Sequence, residues 1–253
     1  MTEMSYRTAL VTGASSGLGR GLALWLGKRG VKVYAAARRR AHLESLAQEA
    51  RAFGAHIEPV ELDVSHADAT VERVRELDTA CEGLDLVVAN AGVGKQTNAL
   101  QFEWADAKQV MDVNVTGAVA TLSAVLPRMV ERNRGHLVGV SSLASCRGLP
   151  QNAAYSASKA FLNTFLESLR VDLHGTGVRI TCIKPGFVKT EMTANIRHLM
   201  PFLLEADPAV ELMGRAILRG EAEYGFPWQM DKVVGLSKWV PNFLFDAVAS
   251  KVL

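Results

Sequence analysis

The sequence predicts an α/β fold: a doubly wound, open parallel sheet of about seven strands, with helices on both faces and a single domain over residues 1–253. Three observations predict it. Short apolar runs alternate with amphipathic stretches from one end of the chain to the other, with no repeat, linker or low-complexity segment between them. The first run empties into a glycine-rich turn that opens a helical pattern. Later runs end in Asn90 Ala91 Gly92 and in Pro185 Gly186, turns of the kind with which an open parallel sheet holds its ligand at the carboxyl ends of its strands.

Residues 8–11 are the first strand. Thr12 Gly13 Ala14 Ser15 Ser16 Gly17 Leu18 Gly19 follows, then the helical pattern Leu22, Leu24, Trp25, Leu26. Strand, glycine turn and helix in that order open a dinucleotide-binding βαβ unit, whose helix N-terminus offers unpaired amides to a pyrophosphate. The glycine spacing is x3 then x1 rather than GxGxxG, and a turn that merely joins strand to helix has the same local signature. Gly30 closes the helix before residues 31–37, a buried-strand run. A carboxylate after this second strand would bind the ribose 2'-hydroxyl of NAD. The chain instead reads Ala37 Arg38 Arg39 Arg40, and arginine suits a 2'-phosphate. NADP(H) is therefore expected in preference to NAD(H), with Arg38 and Arg39 at the phosphate and Arg40 in solvent.

Leu43, Leu46, Ala47, Ala50 and Phe53 trace an amphipathic helix stopped by Gly54. Residues 56–62 are the third strand. Asp63, before Val64 and Ser65, is then either an adenine contact at the strand edge or part of the next helix cap. That helix carries Val71, Val74, Leu77 and Cys81 on one side, which makes Cys81 a small core residue. Residues 84–89 are the fourth strand. A long helical region over 106–133 contains Asn114, a residue type that competes with the helix backbone for hydrogen bonds. Residues 136–140 are the fifth strand and lead to Ser141 Ser142. After a loop over 145–152 comes a helix bearing Tyr155, Lys159, Leu162, Phe165 and Leu169, then the sixth strand, 178–183. Asp207 Pro208 starts a further helix by cap and first-turn logic, and residues 224–228 are the seventh strand.

In a helix, Tyr155 and Lys159 stack on one face about 6 Å apart. A lysine held there stabilises the phenolate and brings the phenol pKa down toward working pH, so Tyr155 becomes a proton donor and acceptor. Ser141 and Ser142 are consecutive on a strand, so only one faces the site. The odd set Cys81, Cys146 and Cys182 has no metal-ligand spacing, and neither do His136, His174 and His198.

Taken together these residues resemble the short-chain dehydrogenases/reductases, a Rossmann-type family. The matching features are Thr12 Gly13 x3 Gly17 x Gly19, Asp63, Asn90 Ala91 Gly92, Asn114, Ser142 thirteen residues before Tyr155, Tyr155 x3 Lys159, and Pro185 Gly186 x Val188 x Thr190. They run in the family's order over residues 6–190. The resemblance implies Tyr155 as general acid/base, Lys159 lowering its pKa and holding the nicotinamide ribose, Ser142 on the substrate oxygen, and Asn114 anchoring a water in a proton relay. It also implies Gly13, Gly17 and Gly19 along the pyrophosphate with Ser15, Ser16 and Leu18 beside them. Asp63 and Val64 fall at adenine, Asn90 and Ala91 on the adenosine side, and Val188 and Thr190 at the nicotinamide amide, with Gly92, Pro185 and Gly186 also among the cofactor-binding residues. The implied reaction interconverts a ketone or aldehyde with an alcohol and needs no metal. Two other readings are a dinucleotide-sensing regulator on the same fold, whose usual mark is a lost Tyr or Lys, and a 3-oxoacyl thioester reductase, for which no basic patch stands out.

Beyond Thr190 the motifs stop. Met192, Ile196, Leu199, Met200, Phe202, Leu203 and Leu204 suit either a lid over an apolar substrate within 190–228 or an ordinary helix pair packed on the core. The tail, 229–253, interleaves Trp239, Phe243 and Phe245 with Lys232, Lys238 and Lys251. It can pack on the domain or a second subunit, wall the pocket, or lie in a membrane interface. With 28 basic and 26 acidic residues the charge is too balanced to imply nucleic acid. No apolar run approaches 18 residues, so a soluble, cytoplasmic protein is expected, as a homodimer or homotetramer.

Overall fold

The computed structural model describes residues 5–194 and 200–250. Seven strands form one parallel sheet in the order β3-β2-β1-β4-β5-β6-β7. They are β1 (Thr8–Thr12), β2 (Lys32–Ala37), β3 (Ile57–Glu61), β4 (Leu86–Ala89), β5 (Gly135–Val140), β6 (Val178–Pro185) and β7 (Glu223–Phe226). The chain winds outward from β1 to β3, then returns to lay β4 on the other side of β1, in the register Ala9 to Leu86 and Val11 to Val88. That reversal leaves a crevice between the ends of β1 and β4.

Burial on both faces explains why the strands read as continuous apolar runs. Alternate side chains serve different cores: Ala9 and Val11 pack with α1 (Gly17–Gly27), α2 (Arg40–Arg51) and α8 (Ala206–Arg219). Leu10 faces the other way, toward α3 (Ala67–Ala80), α5 (Ala118–Ser123) and α7 (Ala153–Asp172). Within the sheet His136 is buried between the Tyr6 hydroxyl at 2.6 Å and the Thr181 hydroxyl at 2.8 Å, and burial pushes its pKa down to about 3.

The long helical region is α4 (Trp104–Met111), a π-helical turn over Asp112–Gly117, α5, and α6 (Leu126–Glu131). The stretch 104–131 is long enough to cross a bilayer and its most apolar 18-residue window has mean hydropathy 1.4, although polar residues such as Asn114, Thr116 and Arg128 interrupt every apolar run in it. More than half of its most apolar window is buried, because Val110, Val113, Leu122, Val125 and Met129 are core residues.

Element ends differ from expectation in several places, and the alternative left open at Asp63 is decided. The seventh strand stops at Phe226, since Pro227 has no N–H for the ladder and leads into α9 (Trp228–Ser237). Helix α8 begins at Ala206 with Glu205 as its cap, so Asp207 and Pro208 sit inside the first turn. Asp63 is not a cap of α3, which His66 precedes; its carboxylate instead accepts the Ser65 N–H at 3.0 Å and the Ser65 hydroxyl at 2.8 Å. Cys81 is half-buried at the end of α3.

The tail forms α9 and α10 (Asn242–Ala249), neither with a fully buried residue. Arg147 holds them: its guanidinium donates to the Ser237 and Val240 carbonyls and to Asn242, and lies 3.9 Å from the Phe245 ring centroid. Trp239 and Phe243 remain 86% and 71% exposed. Ile196, His198, Leu199 and Lys251 lie outside the described residues.

Candidate active site

The crevice between β1 and β4 is closed by hydrogen bonds. The Thr12 hydroxyl accepts the N–H groups of Asn90 and Ala91, both at 3.1 Å, and the Asn90 amide donates to the Thr12 carbonyl at 2.8 Å. Two glycines are needed here for close approach: a Cβ on Gly13 would lie 2.7 Å from the Ala91 Cα, and one on Gly19 would lie 2.5 Å from the Gly13 carbonyl oxygen. Gly13 also sits at φ +67°, where a side chain is strained. Ser16 precedes α1 yet makes no side-chain cap, which leaves the first-turn amides of Gly17, Leu18 and Gly19 for an anion. This cradle fits the pyrophosphate of a dinucleotide.

At the end of β2 only one of the two arginines reaches the glycine turn. Arg39 donates to the Ser15 hydroxyl at 3.0 and 3.1 Å and to the Ser16 hydroxyl at 2.7 Å. Arg38 lies 3.9 Å from Asp63, and Arg40 pairs with Glu44 in solvent. For Asp63, partial burial acts to raise the pKa, but the two Ser65 hydrogen bonds and Arg38 outweigh it and hold the carboxyl below its usual value. Val64 is buried, packed so closely under Gly117 that a Cβ there would lie 2.7 Å from the Val64 carbonyl oxygen.

The chemistry-bearing side chains meet where β4, β5 and α7 converge. Ser141 turns into the core and donates to the Lys159 carbonyl at 3.0 Å, so strand alternation turns Ser142 outward. The Ser142 hydroxyl accepts the Ala144 N–H at 3.1 Å and hydrogen-bonds the Tyr155 phenol. Lys159 lies one helical turn on, its ammonium 5.8 Å from the Tyr155 ring centroid and donating to the Val140 carbonyl at 2.8 Å. Gly92 stands between groups: a Cβ there would meet the Asn114 Oδ1 and the Lys159 Nζ, each at 3.4 Å.

The π-turn explains Asn114. An extra residue in that turn redirects its side chain inward, where Oδ1 accepts the Val93 N–H at 2.8 Å and Nδ2 donates to the Val93 carbonyl at 3.0 Å and the Ser158 hydroxyl at 3.1 Å. Asn114 thus ties the loop after β4 to α7, one residue from Lys159.

The expected lowering of the Tyr155 pKa by Lys159 is not what this structure has. Burial pushes the phenol above its ordinary value and the Ser142 hydrogen bond pulls the other way without prevailing, while the Lys159 ammonium donates to the Val140 carbonyl. Burial moves Lys159 itself down to about 8.

On the far side, Gly186 donates to the Phe226 carbonyl at 2.7 Å, and Pro185 and Val188 are buried. Thr190 packs on the glycine turn, 3.3 Å from where a Gly17 Cβ would be. Thr193 clasps this segment by donating to the Val188 carbonyl at 2.7 Å and accepting the Thr190 N–H at 3.0 Å.

A family model described as short chain dehydrogenase matches residues 7–200. The chain belongs to the short-chain dehydrogenase family. An uncharacterized oxidoreductase of Myxococcus xanthus (strain DK1622) is 66% identical over the whole of both chains. Among solved structures, a short-chain dehydrogenase from Sphingobium yanoikuyae in complex with NADPH is similar at 25% identity and TM-score 0.81, covering 92% of this chain and 94% of that one. A short chain dehydrogenase/reductase from Burkholderia phymatum in complex with NAD shares the fold, at 24% identity and TM-score 0.84, covering 92% and 93%. This short-chain dehydrogenase is therefore an oxidoreductase of a family whose solved members hold either dinucleotide.

Its buried ammonium has a measurable consequence. Lys159 has a depressed pKa in the fold, about 8 against the ordinary 10.5, so between those values the unfolded chain holds a proton that the folded one has released. Its contribution to stability therefore rises with pH across that window, by up to about 3 kcal/mol. Urea unfolding of wild type and Lys159→Met at pH 8 and pH 10 checks this. The difference should move in favour of wild type at the higher pH, and a constant difference rejects the buried charge.

Motif reading of this dehydrogenase passed over the interlocking roles of Thr12, Ser158 and Ser141. Their signal in sequence is only adjacency: each neighbours a motif residue, and what it bonds to lies elsewhere in the chain for Thr12 and Ser141.

Proposed function

We propose that the chain is an NADP(H)-dependent oxidoreductase that interconverts a ketone or aldehyde with an alcohol on an apolar substrate. The observation that carries this reading is the meeting of the Tyr155 phenol with the Ser142 hydroxyl, next to Lys159 and Gly92, at the carboxyl ends of β4 and β5. When bound, NADPH supplies a hydride to the carbonyl carbon. Ser142 holds the carbonyl oxygen, and Tyr155 gives that oxygen a proton as its charge develops. A phenol whose pKa is raised stays protonated at neutral pH, which suits it to the reducing direction. The Lys159 ammonium, one helical turn away, lies in position to stabilise the phenolate left behind.

For the cofactor, Arg39 on the Ser15 and Ser16 hydroxyls supports a 2'-phosphate site, while Arg38 is engaged with Asp63. For the substrate, Met192 comes within 3.7 Å of the Cβ position of Gly94 in the loop after β4, and Phe202 and Leu203 add exposed apolar surface. The reading includes a cytoplasmic homodimer or homotetramer, which would cover apolar side chains such as Leu100 and Trp104.

NADPH consumption measured by absorbance over a panel of apolar ketones and aldehydes tests the activity; no turnover of any carbonyl, with either dinucleotide, sinks it. In the same assay Arg39→Ala should lower kcat/KM for NADPH by about tenfold to a hundredfold, the loss of one charge-assisted contact, and leave NADH nearly unchanged. Equal losses for both dinucleotides would remove Arg39 from the phosphate.

A further inference from the structure

We propose that Glu191 sets the strength of dinucleotide selection, by occupying with its own carboxylate the anion site that Arg39 and Ser16 build for the 2'-phosphate. The inference rests on the NADP(H) reading. Arg39 reaches across the glycine turn, with one nitrogen 2.7 Å from the Ser16 hydroxyl and another 3.0 Å from Glu191 Oε2. The Ser16 hydroxyl hydrogen-bonds the same carboxylate, so one anionic group is gripped by a guanidinium and a hydroxyl. These groups hold the Glu191 carboxyl below its usual range, Arg39 first and with His42 adding positive charge nearby. The site is preformed for an anion, and an anion of this chain fills it.

The placement of Glu191 is built by tertiary contacts. Thr190, its neighbour, packs against Gly17, and Thr193 closes the turn on Val188, so the backbone at 191 is held beside the glycine turn rather than free to swing. The carboxylate itself is exposed, with 60% of the side chain accessible, and among the described residues no other group bonds it. An exposed ion pair of this kind is weak and yields to a phosphate, which carries more charge and more acceptor oxygens. A 2'-hydroxyl offers nothing to displace a carboxylate, so a dinucleotide without the phosphate leaves the Arg39–Glu191 pair in place. NADP(H) binding must break that pair.

Calorimetric titration of wild type, Glu191→Gln and Glu191→Ala with NADP+, NAD+, 2',5'-ADP and 5'-AMP tests this. Both variants should bind NADP+ and 2',5'-ADP about two- to fivefold more tightly than wild type does, the scale of an exposed ion pair, with NAD+ and 5'-AMP unchanged. Affinities that shift equally for ligands with and without the phosphate, or that do not shift, overturn the proposal. Wild type preferring NAD+ to NADP+ would instead overturn the cofactor reading, and the pair 2',5'-ADP and 5'-AMP would still report on Glu191 by itself.

Discussion

Tyr155→Phe is expected to lower kcat by two to four orders of magnitude while leaving the NADPH dissociation constant within about twofold. The substitution removes one oxygen and keeps the ring, so the helix face and its packing are preserved. On the proposed reaction, what is lost is the proton that would reach the substrate oxygen, together with the partner of the Ser142 hydroxyl. Lys159 cannot take over the transfer from where it stands, since its ammonium donates to the Val140 carbonyl. Steady-state kcat beside fluorescence titration of NADPH separates the two effects. A variant retaining more than a tenth of wild-type kcat would remove Tyr155 from the chemistry.

Gly13→Ala is expected to be strongly destabilising. It would place an L side chain at φ +67° and drive a Cβ to 2.7 Å from the Ala91 Cα, where the neighbour is backbone and has no rotamer with which to retreat. Strain and overpacking together should cost about 2–5 kcal/mol of stability. Relief would come from parting β1 and β4 at Thr12 and Asn90, which opens the crevice, so on the proposed cofactor reading NADPH should raise the Tm of wild type but not of this variant. Gly148→Ala is the control, because a Cβ there meets nothing within 4 Å and its φ is not in the left-handed region. Urea unfolding checks the pair; a loss below 1 kcal/mol at Gly13 would show that the crevice can yield.

Both predictions rest on features that were partly legible beforehand. Buried apolar runs marked every strand because both faces of a parallel sheet exclude water. Strand alternation and the thirteen-residue spacing chose Ser142 over Ser141, and the structure places Ser142 on the phenol while Ser141 turns to the Lys159 carbonyl. Helical spacing also put Tyr155 and Lys159 about as far apart as they are found. Asn114 could be singled out as odd in a helix, but not explained. Its role depends on a π-turn that aims it at Val93 and Ser158, 21 and 44 residues away along the chain.

Where spacing along the chain sets geometry, the sequence by itself was sufficient: the doubly wound sheet, the family, the glycine turn, and the Ser142, Tyr155 and Lys159 set. Pairing of distant groups and the burial around them needed the tertiary structure. It decided that Arg39 rather than Arg38 meets the glycine turn, that Glu191 answers Arg39 from 152 residues away, and that Tyr155 is raised rather than lowered in pKa. The physical reason is that backbone periodicity is a local property. The field and solvation at an ionisable group are instead summed over every element packed around it.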